Sequence, residues 1–260
     1  MRRAILESFR KEHGNKPIAL IQQVHIAKLL GTKKLSAAQN WLKTIRGLMQ
    51  FAVRVGFRKD DPTDGINRPR LPKTDGFHGW SEEEIAQFEA QHPIGSQARL
   101  AMGLLLYTAQ RRGDIVTVGP QHVRDGMIVV RPKKTARTTG ETLQIPIHPD
   151  LSAILAATPT THLTFLTTHA GAPFTAAGFG NKVREWCDEA GLSHCSAHGL
   201  RKAQCRRPAE AGCSVHEIAA ISGHKSLSEI RRYTEAVEQA RLAKAAIARL
   251  RQEPMSNKSV

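Results

Sequence analysis

"SGHKSLSEIRRYTEA", residues 222–236, is the stretch on which the reading of this chain turns. The sequence holds two tyrosines, Tyr107 and Tyr233, and the second stands nine residues after His224 and directly behind Arg231 and Arg232. A phenol is a poor nucleophile at its ordinary pKa of about 10, so a tyrosine that does chemistry needs cations or a base beside it. A tyrosine that does none simply packs half-buried on a helix. Choosing between the two requires partners from elsewhere in the chain.

Three other stretches offer them: "YTAQRRGDIV" (107–116), "RPKKTART" (131–138) and "SAHGLRKA" (196–203). Arg111, Lys134, His198, Arg201, His224 and Tyr233 together are the residue types that attack of a phenol on a phosphodiester demands. The five-coordinate phosphorus carries extra negative charge on its non-bridging oxygens. Two guanidinium forks can hold those oxygens and stay charged at any relevant pH. Fixed cations also favour the ionised phenol. A histidine takes the phenolic proton, and a lysine on a hairpin tip donates one to the leaving 5′-oxygen. The scheme needs no metal and no cofactor. His198 and Arg201, three apart, share a helix face. Ser196 is a plausible N-cap that sets both near the positive end of that helix.

Charge points to the same partner. The 260 residues carry 38 Lys and Arg against 23 Asp and Glu, a net +15 with a pI near 10.1. Residues 1–75 hold 16 of the basic and 6 of the acidic side chains, so +10 of the excess lies in under a third of the chain. Such a surface attracts a polyanion, and nucleic acid is the commonest one inside a cell; a basic enzyme with no nucleic-acid role is the alternative on charge alone. No apolar run nears the roughly 18–20 residues that span a bilayer, and the start, "MRRAILESFRKEHGNK", is charged where a signal peptide is apolar; a cytoplasmic protein is expected. The cysteines, Cys187, Cys195, Cys205 and Cys213, form no CxxC pair. His194, Cys195 and His198 lack a second close ligand pair, so the thiols are read as buried or indifferent and no metal site is expected.

The organisation is two-part. From Lys16 to about Gly56 the periodicity is helical, with Trp41, Ile45, Leu48, Ala52 and Val55 down one face and Asp61-Pro62 closing the helix. "DPTDGINRPRLPKTDGFHG" (61–79) reads as a linker, and Ser81 with Glu84 forms a capping box that restarts structure. The domains expected are a helical one over 1–75 and a second over 76–253, followed by a disordered tail at 254–260. In the second, 96–110 is an apolar helix. "MIVVR" (127–131) and "TLQIPI" (142–147) are strands around a basic hairpin tip, and helices follow to about Leu250. The fold class is mainly α with a small β-sheet.

The four stretches, in this order, resemble those of the tyrosine recombinase (phage integrase) family. That family has an Arg in a TG-x-R-x-x-D/E turn, a hairpin lysine, an H-x-L-R helix, and a Gly-His followed nine residues later by tyrosine. The resemblance extends to the N-terminal part, which is similar to that family's core-binding domain. It implies a two-domain clamp around duplex DNA and conservative strand exchange through a 3′-phosphotyrosyl link on Tyr233, with no ATP. It implies Arg111 and Arg201 as phosphate clamps, His198 as general acid/base, Lys134 as the acid for the leaving oxygen and His224 as a phosphate hydrogen-bonder. Asp114 buttresses the site. Homo-tetramers on paired attachment sites are implied, with the terminal helix (about 235–250) exchanged between neighbours.

Three departures from the family pattern stand out. Ala109 replaces the usual Gly of the turn, which costs about 1 kcal/mol if that position has positive φ. Pro208 is expected to kink the "HGLR" helix. The N-terminal part is short, as in a compact recombinase, a fragment or a prophage remnant. The competing readings are a catalytically impaired integrase or DNA-binding regulator, since "EIAAISGHKSLSEI" also resembles a helix-turn-helix, and a type IB topoisomerase-like enzyme that rejoins the original strand.

Overall fold

The first unit holds three α-helices, α1 (Arg2–His13), α2 (Gln23–Gly31) and α3 (Leu35–Arg54), of which α3 buries a full apolar stripe, α2 buries Ile26 and α1 packs with half-buried Ile5 and Phe9. In the computed structural model, residues 2–72, 76–133 and 140–252 are described, with backbone alone at 229, 232, 233, 235–238, 240, 251 and 252. The chain divides into two compact units, Met1–Thr74 and Asp75–Val260. In the first, Ile26 of α2 meets Trp41, Leu42, Ile45 and Met49 of α3, and Ile5 and Phe9 of α1 close the cluster. The helix α1 lies ahead of the periodicity read from Lys16, because only Ile5 and Phe9 mark its apolar face.

Two expectations about this unit are corrected. The helix α3 ends at Arg54, not at Asp61-Pro62, because Gly56 takes φ +79° and the Phe57 N–H turns back to the Ala52 carbonyl at 2.9 Å. This is the left-handed stop that glycine makes at a helix C-terminus. It leaves Val55 exposed, while Trp41, Ile45 and Ala52 face the core and Leu48 is half-buried against it. Nor is 61–72 a free linker. Thr63 is fully buried, Arg46 Nη2 donates to the Ile66 carbonyl at 2.9 Å, and Gln39 Nε2 to that of Pro69 at 2.6 Å. Charge and Gly/Pro content made this segment look like a linker, but α3 side chains satisfy its backbone.

The second unit is built around α5 (Gln97–Thr108), whose residues from Leu100 to Thr108 are all buried. A helix apolar all round belongs in the centre of a domain. It packs on α7 (Pro149–Ala157), α8 (Ala176–Glu189) and α9 (Ala197–Glu210). Before it comes α4 (Glu82–Gln91), started by the reciprocal bonds of Ser81 and Glu84. After it comes the single turn α6 (Arg112–Ile115). Strands β1 (Val123–Arg124), β2 (Met127–Val130) and β3 (Leu143–Pro146) form an antiparallel sheet in that order. Ile128 pairs with Ile145 and Val130 with Leu143, so alternate residues of both strands face the core. The helices α10 (Val215–Ser222) and α11 (Leu227–Gln252) finish the unit, and Ile218 and Ile230 meet Cys205 and Ala209 of α9. The helix α9 runs on through Pro208 to Glu210. In the last turn proline removes one backbone bond and leaves little helix to disturb. Among the described residues no helix is long and apolar enough to cross a membrane.

Candidate active site

The turn after α5 sets the first candidate residue. Ala109, fully buried, caps α5 in the left-handed region at φ 54°, ψ 20°, so the position does demand positive φ and an alanine occupies it. That reversal sends the chain into Arg111, the N-cap of α6. Gln110 braces the turn, its amide donating to the Thr108 carbonyl at 2.9 Å and reaching the Ile221 carbonyl at the end of α10. Asp114 is buried, and its Oδ1 accepts the Lys133 N–H at 2.9 Å. The expected buttress thus ties α6 to the end of the β2 side of the hairpin. Lys134 itself lies outside the described residues.

The helix α9 supplies the next two. The Ser196 hydroxyl accepts the Gly199 N–H, the N-cap read from the sequence. His198 stands in the first turn and Arg201 in the next. The glycine between them has a reason. A Cβ at Gly199 would run into the His78 carbonyl and come within 2.7 Å of the Trp80 ring, so the segment ahead of α4 lies flat on α9. Trp80 Nε1 donates to the Ser196 carbonyl at 2.9 Å, and the Phe77 ring meets His198 edge-on at 4.8 Å.

Arg201 is 3% exposed and reaches the other elements. One terminal nitrogen donates to the Ala109 carbonyl, and the other lies 3.0 Å from His224 Nε2. His224 is placed by Gly223, which ends α10 at φ +66°. Its Nδ1 lies 2.7 Å from Ser222 Oγ, whose proton goes to the Ile218 carbonyl at 2.7 Å. A guanidinium only donates, so Nε2 carries the lone pair; the serine oxygen then accepts from Nδ1–H. Ser222 was not singled out in the sequence, and the S-G-H spacing is the signal that holds it.

Arg111, Lys133, Arg184, His198 and Arg201 line one cleft of about 520 Å³. The electrostatics match this crowding of cations. Burial pushes the His224 pKa down to about 4, with Arg201, Arg111 and His198 adding to it. His198 keeps one side open to solvent, but desolvation of the packed side lowers its pKa, and Arg201, Lys202 and Arg111 lower it further. Both imidazoles are therefore neutral at pH 7; His198 can accept a proton, whereas the His224 Nε2 lone pair is already taken by Arg201. Tyr233 lies on α11, one residue before the buried Thr234, and its side chain is outside the described part. The other tyrosine is engaged elsewhere. Tyr107 Oη donates to Asp150 at 2.8 Å, its ring stacks on His148, and burial with the Asp150 bond raises its pKa to about 12.

The structure thus brings Arg111, His198 and Arg201 to one cleft, with His224 held against Arg201; Lys134 and the Tyr233 side chain are the expected residues it does not describe. Comparison with known proteins follows the same lines. The chain is 26% identical over 212 residues to the tyrosine recombinase XerD of Xanthomonas campestris pv. campestris, covering 74% of this chain and 65% of that one. It is 30% identical over 186 residues to a shufflon-specific DNA recombinase of Escherichia coli, covering 70% and 46%. It therefore spans less than two thirds of either relative. Among solved structures, a lambda integrase dimer bound to a COC′ core site superposes with a TM-score of 0.75 at 20% identity, over 90% of this chain and 86% of that one. The Tn1549 transposon integrase in complex with transposon right-end DNA gives 0.69 at 14%, over 93% and 92%. The family model described as the phage integrase family matches residues 81–240, most of the second unit and all of the cleft lining but Phe77, and the chain belongs to that family.

Proposed function

We propose that this chain is a site-specific DNA recombinase that cuts and rejoins duplex DNA through a tyrosine ester. The observation that carries the reading is the convergence of Arg111, His198 and Arg201 on one cleft, with His224 hydrogen-bonded to Arg201, inside the segment matched by the family. In this reading Arg111 and Arg201 hold the non-bridging oxygens of a scissile phosphate. Tyr233 Oη attacks phosphorus, His198 takes its proton, and the bond from phosphorus to the 5′-oxygen breaks as Lys134 protonates that oxygen. A 5′-hydroxyl from a partner duplex reverses the step, so the ester conserves the bond energy. The neutral state of His198 supports its role, since only an unprotonated imidazole can accept the phenolic proton.

The first unit, with its concentrated positive charge, serves as the core-binding domain that tracks phosphates. Assembly is tetrameric on paired sites, with the end of α11 exchanged between neighbours. A lambda integrase tetramer on a Holliday junction is among the structures with this fold, at a TM-score of 0.73.

Covalent trapping tests the chemistry. The protein is incubated with supercoiled DNA carrying the sequence that flanks its own gene, then denatured in SDS. A protein–DNA adduct with the native chain and none with Tyr233→Phe is the expected result. No adduct from a DNA that the protein binds and that contains its crossover site overturns the proposal in favour of a binding-only protein. Exchange between two marked duplexes separates recombination from topoisomerase-like rejoining of the original strand.

A further inference from the structure

The strongest unexplained cluster adjoins the cleft, which Cys195 helps line, where the segment ahead of α4 and its first turn meet the loop ahead of α9. His78, Glu84, His194 and Cys195 each turn one ligand atom inward, all within 4.8 Å of one another. Glu84 is the hub. Its Oε1 lies 2.6 Å from His194 Nε2, its two oxygens 2.9 and 2.8 Å from His78 Nε2, and its Oε2 still accepts the Ser81 N–H at 2.8 Å. The two imidazole rings are 5.1 Å apart, and the buried Cys195 Sγ lies within 4.8 Å of the other three ligand atoms. The sequence could not show this set, because His78 and Glu84 are more than a hundred residues from His194 and Cys195.

We propose that these four residues form a structural site for a borderline divalent cation, Zn²⁺ being the best match. Two imidazoles, a carboxylate and a thiolate are the donor types zinc takes, and four protein ligands complete a tetrahedron with no position left for substrate. In such a site neighbouring ligand atoms sit roughly 3.3–3.8 Å apart, as follows from bond lengths of about 2.0–2.3 Å. The side chains need only small rotations from their present spacing. On binding, each histidine gives up to solvent the Nε2 proton it now donates to Glu84 and coordinates through Nε2 as the Nδ1–H tautomer. The Cys195 thiol gives up its proton to solvent, and one carboxylate with one thiolate balances the two positive charges. Ser81 N–H on Glu84 Oε2 is the outer bond that orients the carboxylate for coordination through Oε1.

The position gives the site a consequence. His194 and Cys195 directly precede the N-cap Ser196, and the segment carrying His78 lies on Gly199. A metal here pins the first turn of α9, and with it His198, to the start of α4. The bland alternative is a hydrogen-bond cluster around Glu84 in which the thiol is a bystander.

Cobalt substitution separates the two. The full-length protein, treated with chelator and exchanged into metal-free buffer, is titrated with Co²⁺ and followed by absorption. Expected are tetrahedral d–d bands and a thiolate-to-cobalt charge-transfer band that saturate at one equivalent and vanish when Zn²⁺ is added. Cys195→Ser removes the charge-transfer band. His194→Gln, at an exposed side chain that the fold tolerates, weakens Co²⁺ binding at least tenfold and decides the matter if the serine variant does not fold. A native protein without the charge-transfer band overturns the site, as does a band that persists in Cys195→Ser or binding unchanged in His194→Gln. None of these readouts depends on recombination activity.

Discussion

The arrangement around His224 makes a prediction that runs against the ordinary behaviour of histidine. Its Nε2 faces the Arg201 guanidinium at 3.0 Å, and its Nδ1–H is spent on Ser222, so a second proton would have to sit on Nε2 against a cation. Burial first, then Arg201, Arg111 and His198, hold its pKa at about 4 in the folded protein, against about 6.5 in an unfolded chain. A depressed pKa contributes stability that is present above the unfolded value and is lost as pH falls toward the folded one. The full difference of about 2.5 pH units is worth roughly 3 kcal/mol, an upper bound for a half-buried ring. Between about pH 7.5 and 5.5 the unfolded state gains nearly its whole share of protonation there, and about 1.3 kcal/mol is lost.

Urea unfolding of the native protein and of His224→Gln at both pH values isolates that contribution, since the other titrating groups are common to the two. The expected result is that the native protein loses about 1.3 kcal/mol more than the variant on acidification. Nitrogen-resolved NMR of the ring should show the Nδ1–H tautomer persisting below pH 5. Equal pH dependence in the two proteins, or a ring that titrates near 6.5, would refute the placement of Arg201 against Nε2.

Three further outcomes follow from single contacts. Asp114→Ala leaves the Lys133 N–H without its acceptor and should cost about 1–3 kcal/mol in chemical denaturation, whereas Asp114→Asn, which keeps an acceptor oxygen, costs less. Tyr107→Phe removes the bond to Asp150 and keeps the ring, so it should cost about 1 kcal/mol and leave the covalent DNA adduct intact, unlike Tyr233→Phe. Ala109→Gly should change stability by less than about 1 kcal/mol. Relief of the left-handed conformation, about 1–2 kcal/mol, is opposed by a lost buried methyl of about 0.8 and by about 0.4–1 of extra chain entropy in the unfolded state. Differential scanning calorimetry reads that near-cancellation directly.

What could be read from the sequence was whatever physics makes local. The Ser81–Glu84 capping box, the Ser196 cap, the apolar run of α5 and the alternation of β2 and β3 each depend on residues within a few positions, and each formed as its pattern indicates. Misreadings arose where a local signal was outweighed. The turn-rich run from Asp61 to Pro72 has the composition of a linker, yet Gln39 and Arg46 bind its carbonyls. Asp61-Pro62 marks a helix end less well than Gly56, because a glycine at positive φ closes the backbone bonds immediately. Pro208 is a breaker by type but falls in the last turn, where little helix remains to break.

The cleft was legible in its members but not in its wiring. Order and spacing bring Arg111, His198, Arg201 and His224 to notice. Nothing in them tells that Arg201 leans on the carbonyl of Ala109, ninety-two residues away, or that Ser222 sets the tautomer of His224. These bonds explain why Ala109 is tolerable where the family has glycine. The turn needs positive φ so that its carbonyl points at Arg201, and a single methyl is the smallest side chain that can be forced there. The strain at Ala109 is therefore the local cost of orienting a guanidinium that one buried carbonyl and one neutral imidazole hold in place. By the same reasoning a larger side chain at 109 would damage the site before the fold. Ala109→Val adds a β-branch that the left-handed region excludes and that a fully buried turn has no room to hold. The turn would relax, withdraw its carbonyl and free Arg201 to swing, while α5, held by its own buried face, would stay in place.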